Sequence, residues 1–487
     1  MSEALTTLIP RLRDICGPDG VLTEARERRA YDHDGLTHRR SLPGVVVLPT
    51  TTAQVAAVLR LCSGTGVPFV PRGAGTGLSG GALPHHEGVL LTTARMRRVV
   101  EVDIPNECAV VEPGVPNLDI TTLAAPHGYY YAPDPSSQAV CSVGGNVAEN
   151  SGGAHCLKYG FTATHVRGLE LVTPEGEVVR LGGKAPDGTG YDLVRAVIGS
   201  EGTLGVVTEV TVGLTRLPER TVTLLAAFDS LDAGGAAVSA IVSSGVLPSA
   251  VEMMDALSIE AVKAFVDCDY PADAAAVLIV ELDGPAADVD AHLTEVVGLC
   301  TAHGARRTHT ASDDDERARI WAGRKAAFDA VGRMSPAYIV QDGVVPRTAL
   351  PEVLRRIAAL SEESGIRVAN VFHAGDGNLH PLVMFDDSDP DGYRRAEEVS
   401  GAILDLCVEY GGSITGEHGV GADKACSMPR MYSPDDLDTF ERFRRAFDPS
   451  GIANPDKLLP TPRLCGERPG VRKGVHPLVE SGRATQF

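Results

Sequence analysis

No Cys-x-x-Cys pair occurs among the ten cysteines of this chain, at positions 16, 62, 108, 141, 156, 268, 300, 407, 426 and 465. Without one, the chain by itself builds neither an iron–sulfur cluster nor a Cys-rich zinc site. Positive charge is also scarce. The 44 Lys and Arg face 64 Asp and Glu, a formal charge of −20, and no basic stripe runs along the sequence. That excludes nucleic acid as a partner, because phosphate contacts need clustered Lys and Arg. Long apolar runs are missing too, and the longest, around Ala274 to Val280, is far too short to span a bilayer. The opening Met1-Ser-Glu-Ala-Leu has no cationic stretch leading into an apolar core, so no signal peptide is expected. The thiols are then expected to be reduced, with Cys62, Cys300 and Cys407 as core residues and the cytoplasm as the compartment. What the chain does have is apolar content: 43% hydrophobic and 22% charged residues, as in an ordinary globular enzyme. At 487 residues it exceeds a single core, so two or three domains are expected.

The N-terminal half reads as short strands and helices without repeats. Val45 to Leu48 is a buried strand, Thr51-Thr-Ala-Gln54 is a capping box, and the amphipathic helix it opens stops near Gly64. Val67 to Val70 follows as the next strand, making a βαβ unit. A helix from about Leu118 to Pro126 precedes Pro133 to Gly160, which is rich in Gly, Ser, Asn and Pro and reads as loop. Strands around Leu169, Val178 and Val206 close this region near Leu217-Pro218. From Val222 strands and helices alternate, including a strand Val277 to Glu281 and one long helix from about Asp313 to Val331 with the only Trp. This pattern predicts a second α/β domain with an antiparallel or mixed sheet.

Three glycine-rich loops stand in the first region. Gly75-Thr-Gly77-Leu-Ser-Gly80 matches G-x-G-x-x-G, but Gly81-Ala-Leu-Pro84-His-His-Glu-Gly88 cannot carry the helix that a nicotinamide-binding fingerprint requires. What remains is a run of residues free to adopt positive φ, whose N–H groups can converge on an anion such as a pyrophosphate, with Arg72 adding charge. A plain surface loop is the alternative. The second loop, Pro133 to Gly153, is dense in small and amide residues that let a planar ligand approach closely. The third, Gly199-Ser-Glu201-Gly-Thr-Leu-Gly205, again leads into a strand.

Two C-terminal motifs carry chemistry. His373-Ala-Gly-Asp-Gly-Asn-Leu-His380 reads as a hairpin, because Asp-Gly between apolar strands is a strong turn signal. A turn that tight places His373 and His380 near each other. Gly416-Glu417-His418-Gly419 follows a helix that stops at Gly411-Gly412 and offers an adjacent carboxylate and imidazole. His373, His380 and Glu417 make a common divalent-metal set with positions open for substrate, and His418 would stand beside it as a general base. The alternative is histidines in a polar turn that bind nothing.

Taken together these residues resemble the FAD-linked oxidoreductases of the vanillyl-alcohol oxidase type, and within them the FAD-linked subunits of bacterial glycolate oxidases. The resemblance runs over about residues 20 to 460. It is carried by the Pro71–Gly81 loop, Ala132-Pro-Asp-Pro-Ser-Ser137, Gly144-Gly-Asn-Val-Ala-Glu-Asn150, His155-Cys-Leu-Lys-Tyr-Gly160, Gly199-Ser-Glu-Gly202, Glu252-Met-Met-Asp255, Trp321-Ala-Gly-Arg324-Lys325 and the two histidine motifs. It implies an α+β fold: a two-part FAD-binding domain over 1–217 with a helical N-terminal segment (about 1–42), and a substrate or cap domain over 218–411 with a largely antiparallel sheet. A C-terminal segment, 412–460, returns to the flavin, and a tail, 461–487, is loosely ordered.

The flavin is expected on Arg72, Gly73, Ala74, Gly75, Thr76, Gly77 and Ser79, with Pro133, Asp134, Ser142, Gly144, Gly145, Asn146, Asn150 and Gly153 from the second loop. Glu201, Gly205 and Val206 come from the third loop, and Asn454 from Asn454-Pro-Asp-Lys457. Covalent relatives carry a His where this chain has Thr76, so FAD is expected to be non-covalent. The resemblance also implies a divalent metal (Zn, Mn or Fe) on His373, His380 and Glu417, with His418 as the base and Arg324 on the substrate carboxylate. Arg324 suits that task because its planar fork grips carboxylates bidentately.

The implied activity is oxidation of glycolate, or another small 2-hydroxy acid, to the 2-oxo acid. D-lactate dehydrogenase is the alternative and a non-catalytic flavin-binding subunit the second. Electrons would leave through an iron–sulfur subunit and a second flavin-domain-like subunit, giving at most peripheral association with the inner face of the membrane. Relatives that act on 2-hydroxyglutarate surround its second carboxylate with polar residues. The matching positions here are Leu382 and one near Val340, which disfavours dicarboxylates.

Overall fold

The computed structural model describes residues 3–185, 188 and 190–461, so the expected tail lies outside the described residues from 462 onward. The chain divides into two units. The first is Met1–Gly152, Phe161–Leu217 and Glu417–Phe487, and the second is Gly153–Gly160 and Pro218–Gly416. Gly412 to Gly416 thus stay with the second unit, five residues beyond the stop read at Gly411-Gly412. The cause is local pairing: Ser413 and Val344 exchange both backbone hydrogen bonds at 2.9 and 3.0 Å, and Asp342 accepts from the Gly416 N–H at 3.0 Å.

The first unit is built on two sheets. Val21–Leu22, Val45–Val47, Val89–Thr92 and Phe69–Arg72 lie side by side in that order, parallel except for the first pair. Val89–Thr92 therefore intervenes between the two strands of the expected βαβ unit. All four of its residues are buried, as befits a central parallel strand covered on both faces. The crossover helix Thr52–Thr65 starts on Thr51, whose side chain accepts from the Gln54 N–H, and ends at Gly66 in the left-handed region. Gln54 reaches back to the N–H of Thr50 rather than Thr51, so the capping box closes one residue early. Helix Glu3–Cys16 presents Leu5, Leu8 and Leu12 to this core, which also takes in Ile452 and Ala453 from the returning chain. The second sheet orders Val99–Asp103, Cys108–Val111, Val206–Gly213, Val166–Val172 and Val178–Gly182, all antiparallel.

The stretch read as loop, Pro133 to Gly160, holds helices Val143–Glu149 and Cys156–Tyr159. The first survives its Gly144-Gly145 pair because Ser142 caps it, accepting from the Gly145 N–H, and Asn150 ends it at φ 52°. A Cβ on Gly144 would stand 2.6 Å from the Pro113 side chain, so a small residue is needed for the helix to pack at all.

The second unit is an eight-stranded antiparallel sheet. Its path runs Ala305–Thr310, Arg220–Phe228, Ala276–Gly284, Ala250–Asp255, Val368–His373, Asn378–Phe385 and Ala337–Val340, with Gly343–Val344 also on Asn378–Phe385. Alternation sorts the faces. Phe372, Leu379 and Val383 pack with helices Leu231–Ser243, Ala286–Ala302, Leu350–Ser364 and Gly392–Glu409. Val371, Leu382 and Met384 face Ala256–Lys263, Asp314–Lys325 and Ala327–Met334. The expected long helix from Asp313 to Val331 is thus two, broken where Ala326 relaxes to ψ −2°.

Among the described residues, eight cysteines form no disulfide, seven of them buried. Cys426 is disulfide-bonded, against the expectation of reduced thiols throughout. No helix among the described residues is long and apolar enough to cross a membrane.

Candidate active site

The glycine loops of the first unit line one open cleft. Arg72 to Gly77 form one wall, Ser142 and Gly144 to Asn146 another, and Glu201, Gly205 and Val206 a third. Its non-atom space counted to the mouth, open solvent included, is about 1250 Å³. Backbone rather than side chains shapes it. A Cβ on Gly73 would stand 2.2 Å from Ser142 Oγ, and one on Gly202 2.8 Å from the Pro71 ring. Gly75 has φ +76°, where its missing Cβ makes room for the Arg72 guanidinium. Arg72 folds back beneath its own loop and donates to the His33 carbonyl at 2.7 Å, so it braces the loop as well as charging it. No helix follows the loop before Gly88, in keeping with the rejected nicotinamide fingerprint.

Six of the residues expected to hold the flavin do not line this cleft. Ser79 and Asn454 stand behind its wall. Ser79 Oγ donates to Glu149 at 3.4 Å, and Asn454 Nδ2 donates to the carbonyls of Gly81 and Glu201 at 2.8 and 2.6 Å. Asn150 is spent as a helix end and accepts from the Ala163 N–H, while Pro133, Asp134 and Gly153 lie outside the lining. Sequence reasoning passed over Asp34 and Glu149, two acids in the wall. A carboxylate set among small residues was the available signal for Glu149.

Glu417 and His418 line the same cleft, with His418 Nε2 3.9 Å from Glu417 Oε1. Two acids, Glu201 buried and Glu149 partly buried, meet the chain just after them. Glu201 accepts from the N–H groups of Val420 and Gly421 at 2.8 and 2.7 Å, and Glu149 Oε2 lies where a Gly419 Cβ would be, 2.3 Å away. Burial pushes both carboxyls above the ordinary range, while for Glu201 the two N–H donors pull the other way. Lys457 is buried nearby, and burial lowers its ammonium to about 8 against the pull of Asp456, Asp34 and Glu201.

In the second unit, His373 and His380 meet across the hairpin with ring centroids 5.1 Å apart. The strands run to the turn itself, so that Val371 sits opposite His380 and His373 opposite Asn378. Each imidazole is held through Nδ1: His373 on Glu252 Oε1 at 2.6 Å and His380 on the Gln341 carbonyl at 3.3 Å. That puts the lone pair of each ring on Nε2, the nitrogen a metal takes. Asp342, fully buried, lies 3.9 Å from His380 Nδ1. Two buried amide oxygens on this hairpin and the strand end beside it, Asn378 Oδ1 and Gln341 Oε1, have no hydrogen-bond partner among the described residues. Unsatisfied buried acceptors beside paired imidazoles fit a cation and its bound water.

Arg324 projects from helix Asp314–Lys325 and its Nε donates to Glu252 Oε2 at 2.6 Å. Burial raises the Glu252 carboxyl, but His373 and Arg324 together outweigh burial and hold it below the usual carboxylate range. Leu382 and Val340, paired across the sheet, belong to the apolar cluster on the face that carries His380.

Comparison with known proteins gives these features a common context. Residues 43–182 match the family described as FAD binding domain, and residues 217–458 the family described as FAD linked oxidases, C-terminal domain. The glycolate oxidase subunit GlcD of Escherichia coli strain K12 is 49% identical over 462 residues, 95% of this chain and 93% of that protein. A D-lactate dehydrogenase of Anaerostipes hadrus is 31% identical over 93% of this chain and 97% of its own length. Among solved structures, p-cresol methylhydroxylase with substrate bound superposes with a TM-score of 0.80 at 17% identity, covering 94% of this chain and 97% of that one, which establishes the fold. The two matched families and the near full-length likeness show that the chain belongs to the FAD-linked oxidases and is an FAD-dependent oxidoreductase.

Proposed function

We propose that this enzyme oxidises glycolate, or another small 2-hydroxy acid, to the corresponding 2-oxo acid. The carrying observation is that His418, an imidazole able to act as a base, lines the same cleft as the glycine loops that would hold FAD. FAD, held non-covalently since Thr76 offers no histidine, supplies the two-electron acceptor. His373, His380 and Glu417 would hold a divalent cation, whose positive charge would lower the pKa of a substrate hydroxyl.

The chain's own groups do the rest. Arg324 holds the substrate carboxylate with its terminal nitrogens, since only its Nε is engaged by a hydrogen bond among the described residues. His418 accepts the proton released as the alcohol loses two electrons. Likeness to a glycolate oxidase subunit at 49% identity supports glycolate as first substrate, and the D-lactate dehydrogenase relative supports D-lactate as second.

Purified protein is expected to be yellow and to bleach when glycolate or D-lactate is added without oxygen. Colourless folded protein, or no bleaching with any 2-hydroxy acid, removes the reading. We further propose that electrons leave through partner subunits, one an iron–sulfur protein and one a second flavin-domain-like chain. The Escherichia coli relative is a glycolate oxidase subunit, which supports partners of some kind. The enzyme would then be cytoplasmic and reach the membrane only through them. Rapid turnover of the isolated chain with oxygen alone counts against that dependence.

A further inference from the structure

We propose that Glu252 is the positioning residue of this reaction: a single carboxylate that aims both the imidazole of His373 and the guanidinium of Arg324. The inference rests on the proposed function, because it concerns the groups assigned there to metal and substrate. Glu252 lies in strand Ala250–Asp255 directly opposite His373 in the sheet register, so the two side chains meet without any loop between them. Its two oxygens are divided. Oε1 takes His373 Nδ1 at 2.6 Å and Oε2 takes Arg324 Nε at 2.6 Å.

Glu252 is fully buried, with Val251, Met253 and Met254 as its strand neighbours. A carboxylate there is costly unless cations or donors meet it from every open side. Both of its partners are residues that the chemistry needs elsewhere. With Nδ1 committed, the lone pair of His373 is on Nε2 and the ring cannot rotate, as an anchored metal-ligand histidine requires. With Nε committed, Arg324 keeps its two terminal nitrogens as a parallel pair, the edge that grips a carboxylate. One oxygen pair thus sets the spacing between a metal ligand and the substrate anchor. A merely structural ion pair would involve Arg324 alone.

The test uses the FAD-loaded enzyme stripped of metal by EDTA. Zn2+ alone is titrated by calorimetry, and KM and kcat for glycolate are measured after metal return. In Glu252→Gln one of the two acceptor oxygens becomes an NH2 donor that faces His373 Nδ1 or Arg324 Nε unfavourably, so Zn2+ affinity is expected to fall about ten- to hundredfold. KM for glycolate is expected to rise about tenfold, while bound FAD per chain is unchanged. Glu252→Asp keeps the charge but withdraws it by one methylene, and should recover part of both losses. It also serves should Glu252→Gln fail to fold.

Wild-type values of both quantities in a folded, flavin-replete variant overturn the proposal. A change in one alone overturns the shared aim and leaves an ordinary ion pair. Wild-type enzyme that binds no Zn2+ removes the metal from the proposed function and the His373 half with it, while KM still reads the Arg324 half. Wild-type enzyme that leaves glycolate untouched removes the proposed substrate, while Zn2+ affinity still reads the His373 half.

Discussion

His418 and Lys457, two nitrogen bases of the returning chain, face opposite demands. His418 lines the cleft and has to gain and lose a proton in each turnover. His418→Ala should keep its FAD and lose about 100- to 10,000-fold in the rate of flavin bleaching by glycolate. Unchanged stopped-flow rates would show that the base is elsewhere. Lys457 has only to exist in a buried place. Its folded pKa of about 8 lies below the ordinary 10.5, so the unfolded chain binds more protons than the folded one between those two values. The cost of burying the ammonium is therefore full below about pH 8 and fades as pH rises towards 10.5. A difference of about 2.5, at about 1.4 kcal/mol each, bounds it at about 3 kcal/mol. Lys457→Met should accordingly show its largest gain in Tm over wild type below pH 8 and lose that gain by pH 10.5. A Tm difference that does not vary with pH would refute this.

Substrate size is a residue-scale question as well. Leu382 and Val340 offer no counter-charge, so malate and 2-hydroxyglutarate should show kcat/KM below that of glycolate by about a thousandfold. The histidines were readable in the sequence because a tight turn brings them together locally. Glu252 was not readable as their partner, since His373 lies 121 residues further along the chain and only strand register joins them. The available traces were an acid in the otherwise apolar run of Ala250 to Met254 and its place in the Glu252-Met-Met-Asp255 motif, neither of which names a partner.

At the scale of elements, the sequence was informative wherever a turn or cap is made from adjacent residues. The Asp376-Gly377 hairpin and the helix from Thr52 to Thr65 are of this kind. Helix Val143–Glu149 is the opposite case. Its two glycines argue for a loop, and what makes it a helix is the Ser142 cap and the Pro113 wall, the second of which comes from another part of the chain. The turn after His418 is set in a similar way. Gly419 has φ +87°, and a Cβ there would stand 2.3 Å from Glu149 Oε2, so strain and a clash coincide. Gly419→Ala should lower stability by about 1–3 kcal/mol. It should also displace His418, so that kcat falls more than FAD occupancy. Thermal melts followed by released-flavin fluorescence, beside steady-state rates, separate the two effects. Equal kcat and Tm would mean that the turn relaxes freely.

At the scale of the molecule, the first unit is discontinuous, and its last part is not an appendage. The Phe69 N–H donates to the Ile452 carbonyl at 2.9 Å and the Phe69 carbonyl accepts from the Asn454 N–H at 2.8 Å, and Ile452 and Ala453 fill the core beneath the parallel sheet. A chain ending at Gly416 should therefore bind no FAD, even though it keeps all three glycine loops. A yellow 1–416 fragment would show that the return segment is dispensable for the cofactor. The discontinuity also has a bearing on synthesis. About 235 residues separate Leu217 from Ile452, and at roughly 5–20 residues per second the ribosome needs about 12–47 seconds to make them. For that interval the nascent sheet waits with an apolar gap at Phe69, while the second unit is free to fold ahead of it. This is a window in which chaperones, or an early supply of flavin, would decide how much enzyme is recovered.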